Sequence, residues 1–420
     1  MSRRSLVVMK FGGTSLETPA RIRRAARRIA RARRAGHGVV AVVSARGQAT
    51  DELLAAAAQV SLKGGDPTAR EVDQLLATGE QASAALVAMA VKAAGCPAVS
   101  LTAHQIGILT DDTHRAAKIR AIDPRPIRRH LRRGEVVVVT GFLAVDAAGD
   151  VTTMGRGASD KSAVVLAAVL KASRCEIYTD VKGVYTADPR VVPGARRIPV
   201  LSHDEMLEFA AMGAKVMHAG AVEWGKRFGV PLSVRSAFSR SPGTRIGAVT
   251  GAVDRSTVHG AAVDLDWARI TLHGLPDLPG RAASVFEAVA RDRINVDMIV
   301  MNVAQNGTSE LSYTVLKDDL QRAIQNARRI HRRLGTRSVS FDEKIAKLSI
   351  VGLGMQDHYG VAARMFRGLA RSGINIQAIS TSEIKVSVIV REDEGARGLK
   401  ALHESFELRR HPARRALAAR

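Results

Sequence analysis

The sequence predicts an α/β protein in which a largely parallel sheet, covered by helices, is followed by two smaller, similar units. Over residues 1–247, runs rich in β-branched residues alternate with segments of helical periodicity, as in doubly wound folds. Two of these runs, Val39–Val43 and Val136–Val139, are continuously apolar, which is typical of strands buried on both faces. After Gly247 the pattern strand, turn, helix, strand occurs twice, about 80 residues apart, which indicates an internal repeat.

The first elements can be placed from apolar spacing. Leu6–Met9 is a short apolar run before a glycine turn, which predicts a buried strand. The next segment, Pro19–Ala35, predicts a helix because its apolar residues recur at near-helical spacing. Its many arginines occupy the other face, which we interpret as a solvated helix surface.

The two repeats share a design. The first has an apolar strand at Ile270–Leu272 and a helix at Arg281–Ala290, and the second has them at Leu348–Gly352 and Val361–Leu369. Each copy is too small to bury a large core alone, so we expect the two to pack together. The predicted organisation is an α/β domain over 1–247, a linker and first repeat over 248–340, a second repeat over 341–408, and a basic tail over 409–420.

The charge of the chain is strongly positive but unevenly placed. Of 420 residues, 63 are Lys or Arg and 40 are Asp or Glu, a formal net charge of +23. Residues 1–34 and 409–420 together hold 15 of these excess charges. Few aromatic residues are available for stacking on bases, and no nucleic-acid reader motif is present. A surface property is therefore favoured over a nucleic-acid partner.

Two cysteines, Cys96 and Cys175, lie far apart and form no metal-binding spacing. The sequence therefore predicts neither a disulfide framework nor a zinc site, and it favours a reducing compartment. No stretch approaches the roughly 18 apolar residues of a membrane span. We expect a cytoplasmic protein with no membrane partner.

A lysine and two glycines lie at the end of the first predicted strand, in the segment 10–15 (KFGGTS). Glycines allow backbone N–H groups to approach an anion, and lysine supplies a point charge. The segment is a candidate phosphate cradle, although it is not a Walker A loop. A tight turn beside a surface lysine is the alternative.

The segment 155–160 (GRGASD) precedes an apolar helical stretch over Ala163–Ala172. Ser159 or Asp160 is well placed as the N-cap, and the free N–H groups of a first helical turn attract anions. Arg156 suits bidentate contact with a carboxylate or phosphate. An ordinary capped helix with a surface arginine is the alternative.

A third polar segment, 178–190 (YTDVKGVYTADPR), runs from a predicted strand end into a loop that contains Gly and Pro. Its acceptors, ring and guanidinium suit the ribose and phosphates of a nucleotide, with a polar turn as the alternative. The segment 213–218 adds another lysine beside small residues.

Taken together and in this order, the motifs resemble those of the aspartate kinases, within the amino-acid-kinase superfamily. The two repeats resemble the paired ACT domains of that family, especially at 275–286 and 374–388. The resemblance implies an amino-acid-kinase fold followed by two ferredoxin-like ACT domains. The matching segments cover nearly the whole chain: KFGGTS (10–15), VVSA (42–45), LLATGE (75–80), GRGASD (155–160), YTDVKGVYTADPR (178–190), DEMLEFAAMGAKVMH (204–218) and VPLSVRSAFSRSPGT (230–244).

The resemblance implies transfer of the γ-phosphoryl group of ATP to the side-chain carboxylate of L-aspartate. The product, 4-phospho-L-aspartate, would feed the lysine, threonine and methionine pathway or a specialised pathway that draws on it. The implied catalytic residues are Lys10, Asp160 and Arg156. Lys10 would hold the phosphates, and Asp160 would orient Lys10. Arg156 would also pair with the α-carboxylate of aspartate and Glu80 with its α-ammonium, while hydrogen bonds to the carboxylates would come from Ser44, Thr50 and Ser159.

By the same resemblance, magnesium accompanies ATP and bridges its phosphate oxygens, and no resident protein metal site is expected. The implied nucleotide-binding positions are Lys10, Phe11, Gly12, Gly13, Thr179, Asp180, Tyr185, Arg190, Lys215 and Val216. Lysine or threonine is the candidate effector, at Asp277, Asn295, Asp297, Met301, Asn375 and Ile376. Homo-oligomerisation through the ACT domains is expected because each repeat exposes strand edges.

Four positions depart from the family pattern, one of them Tyr359 in the second repeat, where Pro is usual. Ala158 stands where glycine is usual, and a positive φ there would cost about 1 kcal/mol and alter the loop. Met301 and Ala304 stand where Gln and Ser are usual, so polar groups are lost from an effector interface. We therefore expect weakened feedback inhibition by lysine and threonine, with neutral drift as the alternative.

Two other functions compete. Another amino-acid kinase, acting on glutamate or its acetyl derivative, would lack the tandem ACT unit. A catalytically silent, ACT-based amino-acid sensor would not need Lys10, Glu80, Arg156 and Asp160, all of which are present. Both are less favoured than aspartate phosphorylation.

Overall fold

The computed structural model describes residues 5–60, 69–155, 157–212, 216–248, 257–303, 307–355 and 358–409. Arg156, Lys215, Ala304 and the tail beyond Arg409 lie outside these ranges. The described residues form two compact units. The first contains those of 5–184, 197–210 and 216–248, and the second contains those of 185–196, 211–212 and 257–409.

The first unit is built on an eight-stranded sheet with helices packed against it. Its strands are β1 (Leu6–Phe11), β2 (Gly38–Val43), β3 (Ala98–Leu101), β4 (Ile108–Thr110), β5 (Ile119–Ile122), β6 (Val136–Thr140), β7 (Leu143–Val145), β8 (Val151–Thr153), β9 (Arg174–Thr179), β10 (Val200–Leu201), β11 (Leu232–Ser236) and β12 (Thr244–Ile246). Its helices are α1 (Pro19–Arg34), α2 (Ala49–Val60), α3 (Ala69–Ala93), α4 (Ala103–Ile106), α5 (Arg125–Arg132), α6 (Ala158–Leu170), α7 (His203–Ala211) and α8 (Ala219–Arg227).

The strand order of the large sheet is β10-β12-β11-β9-β1-β2-β6-β3. The six strands from β11 to β3 are parallel, and β12 is antiparallel to β11. As predicted for strands covered on both faces, β6 is buried throughout and β2 at all but its first residue. The predicted α/β class with a largely parallel sheet is confirmed. Because the parallel strands β9, β1, β2 and β6 are neighbours, their carboxyl ends meet at one edge.

Four short strands form a second sheet in the first unit, in the order β5-β4-β7-β8. Strand β8 ends at Thr153, two residues before Gly155. This small sheet therefore leads directly into the segment that the sequence singled out for substrate binding.

Helix α1 begins with strong local signals. Thr18 is its N-cap and accepts a hydrogen bond from the Arg21 amide at 3.3 Å, and Pro19 fills a first-turn position that needs no N–H donor. The expected solvated arginine face is only partly correct. The Arg28 guanidinium lies 4.9 Å from the centre of the Tyr178 ring, and Arg21 lies over Phe238.

The second unit contains two antiparallel sheets with helices. Its strands are β13 (Gly260–Asp264), β14 (Trp267–Pro276), β15 (Val296–Val303), β16 (Thr308–Leu316), β17 (Ser338–Asp342), β18 (Ile345–Val351), β19 (Ala378–Thr381) and β20 (Lys385–Arg391). Its helices are α9 (Arg281–Arg291), α10 (Leu320–Leu334), α11 (Val361–Arg371) and α12 (Gly395–Ser405). The predicted repeat is visible in α9 and α11, which have 11 residues each and follow Gly280 and Gly360 at φ 85° and 86°.

The two sheets of the second unit have corresponding strand orders, but the strands of the second sheet are not all consecutive in the sequence. Their orders are β15-β16-β14-β17 and β19-β20-β18-β13, so that β13 takes in the second sheet the place that β17 takes in the first. Strand β13 pairs antiparallel with β18 although it precedes the whole first repeat in sequence. Part of the stretch predicted as a linker is therefore a strand of the second ACT-like sheet.

The segment 185–196, which overlaps the end of the predicted nucleotide segment 178–190, also belongs to the second unit. Ala187 and Val192 contribute to its hydrophobic core. The hydroxyl of Thr186 lies 3.1 Å from His403 Nε2, and the Ala261 amide donates to the Thr186 carbonyl at 2.8 Å. No helix among the described residues is long and apolar enough to cross a bilayer.

Candidate active site

Lys10 and Asp160 form a largely buried ion pair at the end of β1. Lys10 Nζ lies 2.7 Å from Asp160 Oδ1. The other oxygen, Oδ2, accepts a hydrogen bond from the His218 backbone N–H at 3.2 Å. A methyl group built on Gly12 would lie 3.5 Å from Lys10 Nζ, so the ammonium group lies beside a glycine. Asp160 thus holds Lys10 where the backbone leaves space for a ligand.

The glycine loop after β1 packs tightly against the loop after β2. A Cβ on Gly13 would lie 2.7 Å from the Ala45 carbonyl oxygen, so a side chain is excluded there. The Gly47 amide donates to the Gly13 carbonyl at 3.0 Å. The Gly12 amide is only weakly engaged, because its acceptor, the Tyr178 carbonyl, is 3.4 Å away. This geometry fits the predicted phosphate cradle.

Helix α6 begins earlier than the sequence indicated. Its N-cap is Gly157, at φ 71° and without a side-chain cap, so the prediction of Ser159 or Asp160 as N-cap is wrong. Both residues lie inside the first turn, and from there Asp160 pairs with Lys10. Ala158 is the first helical residue and is absent from the positions with positive φ, so the strain expected there does not arise. The positive φ falls on Gly157, where a Cβ would also collide with the His218 ring.

Ser159 lies against the carboxyl end of β6. A Cβ on Gly141 would be 2.8 Å from the Ser159 Cβ, so glycine at 141 allows α6 to approach the sheet edge. Ser162 reinforces this contact by accepting a hydrogen bond from the Phe142 amide at 3.1 Å. The predicted substrate residue Ser159 is thus at the same edge as Lys10.

Glu80, on α3, is a buried carboxylate with one unsatisfied oxygen. Its Oε1 accepts a hydrogen bond from the Ala45 amide at 3.1 Å, while Oε2 has no hydrogen-bond partner. Burial raises the pKa of Glu80 to about 7, against the opposing effect of the Ala45 hydrogen bond. Ser44 directly precedes Ala45, and Thr50 lies in the first turn of α2. An oxygen of this kind suits a cationic ligand group.

The predicted nucleotide residues are divided between the two units. Thr179 ends β9 and Asp180 follows it, at the same edge of the sheet as Lys10, and the Thr179 hydroxyl donates to Asp180 at 3.0 Å. Val216 also lies in the first unit. Tyr185 and Arg190 lie in the second unit, where Arg190 pairs with Asp188 at 2.7 Å.

Phe11 is fully buried and stacks on Tyr178, with ring centres 4.9 Å apart. Its side chain therefore belongs to the core, and only its backbone borders the loop. Tyr178 in turn donates to Glu176 at 2.7 Å. Burial opposes ionisation of Glu176, but this hydrogen bond and the nearby Arg174 and Arg235 together hold its pKa below the ordinary value.

Comparison with known proteins identifies the family of this chain. The chain matches the model of the amino acid kinase family over residues 5–236 and that of an ACT domain over 348–406. It is 46% identical to the aspartokinase of Pseudomonas aeruginosa over 406 residues, covering 96% of this chain and 98% of that protein. The chain belongs to the aspartokinase family. The aspartokinase of Thermus thermophilus is 45% identical, covering 96% of this chain and 99% of that protein.

Solved structures agree with the assignment. Escherichia coli aspartokinase III in complex with aspartate and ADP is 25% identical, with a TM-score of 0.79, and the match covers 95% of this chain and 99% of that one. Aspartate kinase from Synechocystis is 40% identical with a TM-score of 0.54, covering 96% of this chain and 69% of that one. The predicted amino-acid-kinase fold followed by ACT structure is therefore confirmed.

The predicted effector residues lie in the second unit, at corresponding places of its two halves. Asn295 and Asn375 are both exposed and follow the helices α9 and α11. Asp297 is paired with the buried Lys347, whose Nζ is 2.5 Å from Oδ2. The remaining three residues are Asp277, exposed after β14, Met301, exposed on β15, and Ile376, half-buried after Asn375.

One group of described residues has the composition of a metal site. Ligand atoms of His114, Asp146 and Asp150 lie within 4.8 Å of one another. Arg70 already pairs with Asp150 at 2.5 Å, so this group has the partners of an ion-pair cluster. We assign it no metal.

Sequence reasoning assigned no role to His218, although it lies in a matching motif. Its backbone N–H orients Asp160, and its Nδ1 accepts a hydrogen bond from the Gly220 amide at 3.2 Å as the N-cap of α8. A histidine directly before a helical pattern is a weak signal of a cap, and nothing in the sequence indicated its contact with Asp160, 58 residues away.

Proposed function

We propose that this chain transfers the γ-phosphoryl group of ATP to the side-chain carboxylate of L-aspartate, yielding 4-phospho-L-aspartate and ADP. The observation that supports this best is the Lys10–Asp160 pair at a glycine-lined sheet edge. The family assignment and the likeness to a structure bound to aspartate and ADP support the same reaction. The product would enter the pathway to lysine, threonine and methionine or a specialised pathway.

The chemistry asks for positioning and positive charge more than for a base. The attacking carboxylate of aspartate is already ionised at neutral pH, so the difficulty is to bring anions together. Lys10 would stabilise charge on the transferred phosphoryl group, and Asp160 would hold Lys10 in place. The glycine loop would donate backbone N–H groups to the phosphates.

Recognition of aspartate would use both its α-ammonium group and its α-carboxylate group. The unsatisfied oxygen of Glu80 would accept the α-ammonium group, and the resemblance assigns the α-carboxylate to Arg156. Ser44, Thr50 and Ser159 would hydrogen-bond the carboxylates. This arrangement leaves the side-chain carboxylate free to face the γ-phosphate.

Thr179, Asp180, Lys215 and Val216 would complete the nucleotide site of the first unit. Magnesium prefers oxygen ligands, and the carboxylate of Asp160 is already paired with Lys10. The donor set therefore fits a magnesium ion held mainly by phosphate oxygens of ATP, where it would neutralise phosphate charge.

The proposal includes regulation and assembly. Lysine or threonine would act through the ACT residues named above, with weakened inhibition because Met301 replaces a polar group and Lys347 occupies Asp297. Homo-oligomerisation would use edges of the ACT sheets. A cytoplasmic location is supported by two free, buried cysteines, Cys96 and Cys175.

The function is tested by ADP formation measured with L-aspartate, L-glutamate and N-acetylglutamate in parallel. We expect ADP to form with L-aspartate and not with the other two amino acids. Turnover with another amino acid would show that the substrate assignment is wrong. Absence of turnover with all three would favour the catalytically silent sensor. Titration with lysine and threonine, singly and together, tests the regulatory part, and sharp inhibition at low concentration would contradict weakened feedback.

A further inference from the structure

Asp73, on α3, is a fully buried carboxylate to which the reaction outlined above assigns no role. Its side chain is 0% exposed. Its Oδ2 accepts hydrogen bonds from His114 Nδ1 at 2.9 Å and from the backbone N–H groups of Arg115 and Thr153, both at 3.1 Å. Its Oδ1 accepts from the Thr153 hydroxyl at 2.7 Å. Four donors from two separate segments therefore converge on one carboxylate.

Both segments border the start of the loop that leads to Ser159 and Asp160. Thr153 is the last residue of β8, and Gly155 follows it at φ 82°. Arg115 adopts φ 66°, which is costly for a residue with a side chain. A Cβ built on Gly155 would lie 3.5 Å from the Arg115 carbonyl oxygen. The hydrogen bonds of Asp73 thus hold the end of β8 and the turn that packs against Gly155.

Asp73 is also linked to the other half of the aspartate site through its own helix. Seven residues separate it from Glu80, which is nearly two turns of an α-helix, so both carboxylates lie on one face of α3. Glu80 accepts a hydrogen bond from the Ala45 amide just past β2, while Asp73 holds the segment after β8. A single helix therefore connects the loop after β2 with the segment after β8.

We propose that Asp73 is a positioning residue for aspartate binding: it sets the segment that begins at Gly155 relative to Glu80. This inference rests on the proposed function. Asp73 acts through Thr153 and Arg115 and does not itself contact substrate. A buried carboxylate with these contacts would also stabilise the fold, so the test must separate a positioning role from a general loss of stability.

The first test compares Asp73→Asn with Asp73→Ala. An asparagine amide oxygen can accept from the three N–H donors while its NH₂ group donates to the Thr153 hydroxyl, so we expect the KM for aspartate to stay within about threefold of wild type. Alanine leaves the three N–H donors without an acceptor, and we expect the KM for aspartate to rise at least about tenfold. The KM for ATP should stay within about twofold in both variants, because the His218 backbone N–H holds Asp160 beside Lys10 and the Gly47 amide holds the glycine loop.

The second test uses a matched pair of hydroxyl deletions. Thr153→Val removes the hydrogen bond to Asp73 Oδ1 and should raise the KM for aspartate about threefold, and its effect should not add to that of Asp73→Ala. Thr110→Val is the control, because Thr110 is equally buried and bonds Thr152 of the same strand at 2.7 Å without touching Asp73. It should lower the unfolding temperature but leave the KM for aspartate unchanged.

The proposal is overturned if Asp73→Ala keeps the wild-type KM for aspartate, or if it changes both KM values and kcat together, as a general loss of structure would. If Asp73→Ala does not fold by circular dichroism, Thr153→Val decides, and an unchanged KM for aspartate in that variant rejects the proposal. Failure of the proposed function would show itself earlier, as wild-type protein that forms no ADP with aspartate.

Discussion

Two lysine–aspartate pairs, one in each unit, have similar distances and different surroundings. Lys10 Nζ is 2.7 Å from Asp160, and Lys347 Nζ is 2.5 Å from Asp297. Lys347 also lies 4.4 Å from the centre of the Trp267 ring, so its charge is enclosed by protein groups. Lys10 instead lies beside Gly12, which has no side chain to enclose it.

The comparison shows that a buried ion pair does not by itself indicate catalysis. Lys347 has both an anion and an aromatic face as fixed partners, which is the arrangement of a structural cation. Lys10 has one fixed partner and open space beside backbone amides, so it remains able to bind a phosphate. The surroundings of the two pairs, more than their distances, lead to opposite expectations for mutation.

The largest effect is expected from Lys10→Ala. Loss of a charge that stabilises the transferred phosphoryl group should lower kcat about 10²–10³-fold, measured as aspartate-dependent ADP formation at saturating substrates. Lys347→Met serves as the control and should retain kcat within about twofold. Near-normal turnover of Lys10→Ala would mean that the phosphate cradle lies elsewhere.

A second contrast concerns Glu80, the unsatisfied carboxylate on the Lys10 side of the comparison. Its pKa is about 7 in the folded protein against 4.5 ordinarily, so the folded state binds more protons than the unfolded state between these pH values. The free energy of unfolding should therefore fall as pH rises from about 4.5 to about 7, by roughly 3 kcal/mol for this group. Urea unfolding without substrate should show this loss in wild type but not in Glu80→Gln.

The same titration should appear in substrate binding. Ionised Glu80 pairs with the ammonium group of aspartate, so the wild-type KM for aspartate should fall as pH rises towards 7. Glu80→Gln should have a higher KM without this pH dependence. If wild type and variant differ by a constant factor at every pH, Glu80 does not titrate in this range.

The smallest effect is expected from Lys347→Met. Methionine keeps the apolar volume beside Trp267, and Asp297, with its side chain 25% exposed, can be solvated when its partner is lost. The free energy of unfolding should fall by roughly 1 kcal/mol, far below the cost of breaking a fully buried pair. Urea unfolding measures this change, and Asp297→Asn in the Lys347→Met background should add little. A kcat as low as that of Lys10→Ala would remove the distinction between the two pairs.

Much of the fold was predictable where the signal is local. The runs at Val39–Val43 and Val136–Val139 became the buried strands β2 and β6, and α9 and α11 begin at the predicted residues. The N-cap of α6 was predicted wrongly, because Ser159 and Asp160 are residue types that favour caps, whereas the helix begins two residues earlier, after Gly157 in the left-handed region. Backbone strain was expected at Ala158, where glycine is usual in the family. The positive φ falls one residue earlier, at Gly157.

The sequence by itself determined the class of fold, the internal repeat and the segments that carry Lys10, Glu80 and Asp160, since burial periodicity and motif order are properties of consecutive residues. The tertiary structure alone decided that β13 completes the second ACT-like sheet, that Glu80 keeps one oxygen unsatisfied, and that Asp73 holds the end of β8. Each of these depends on contacts between residues far apart in the chain, and the free energy of such contacts is decided only when the segments meet.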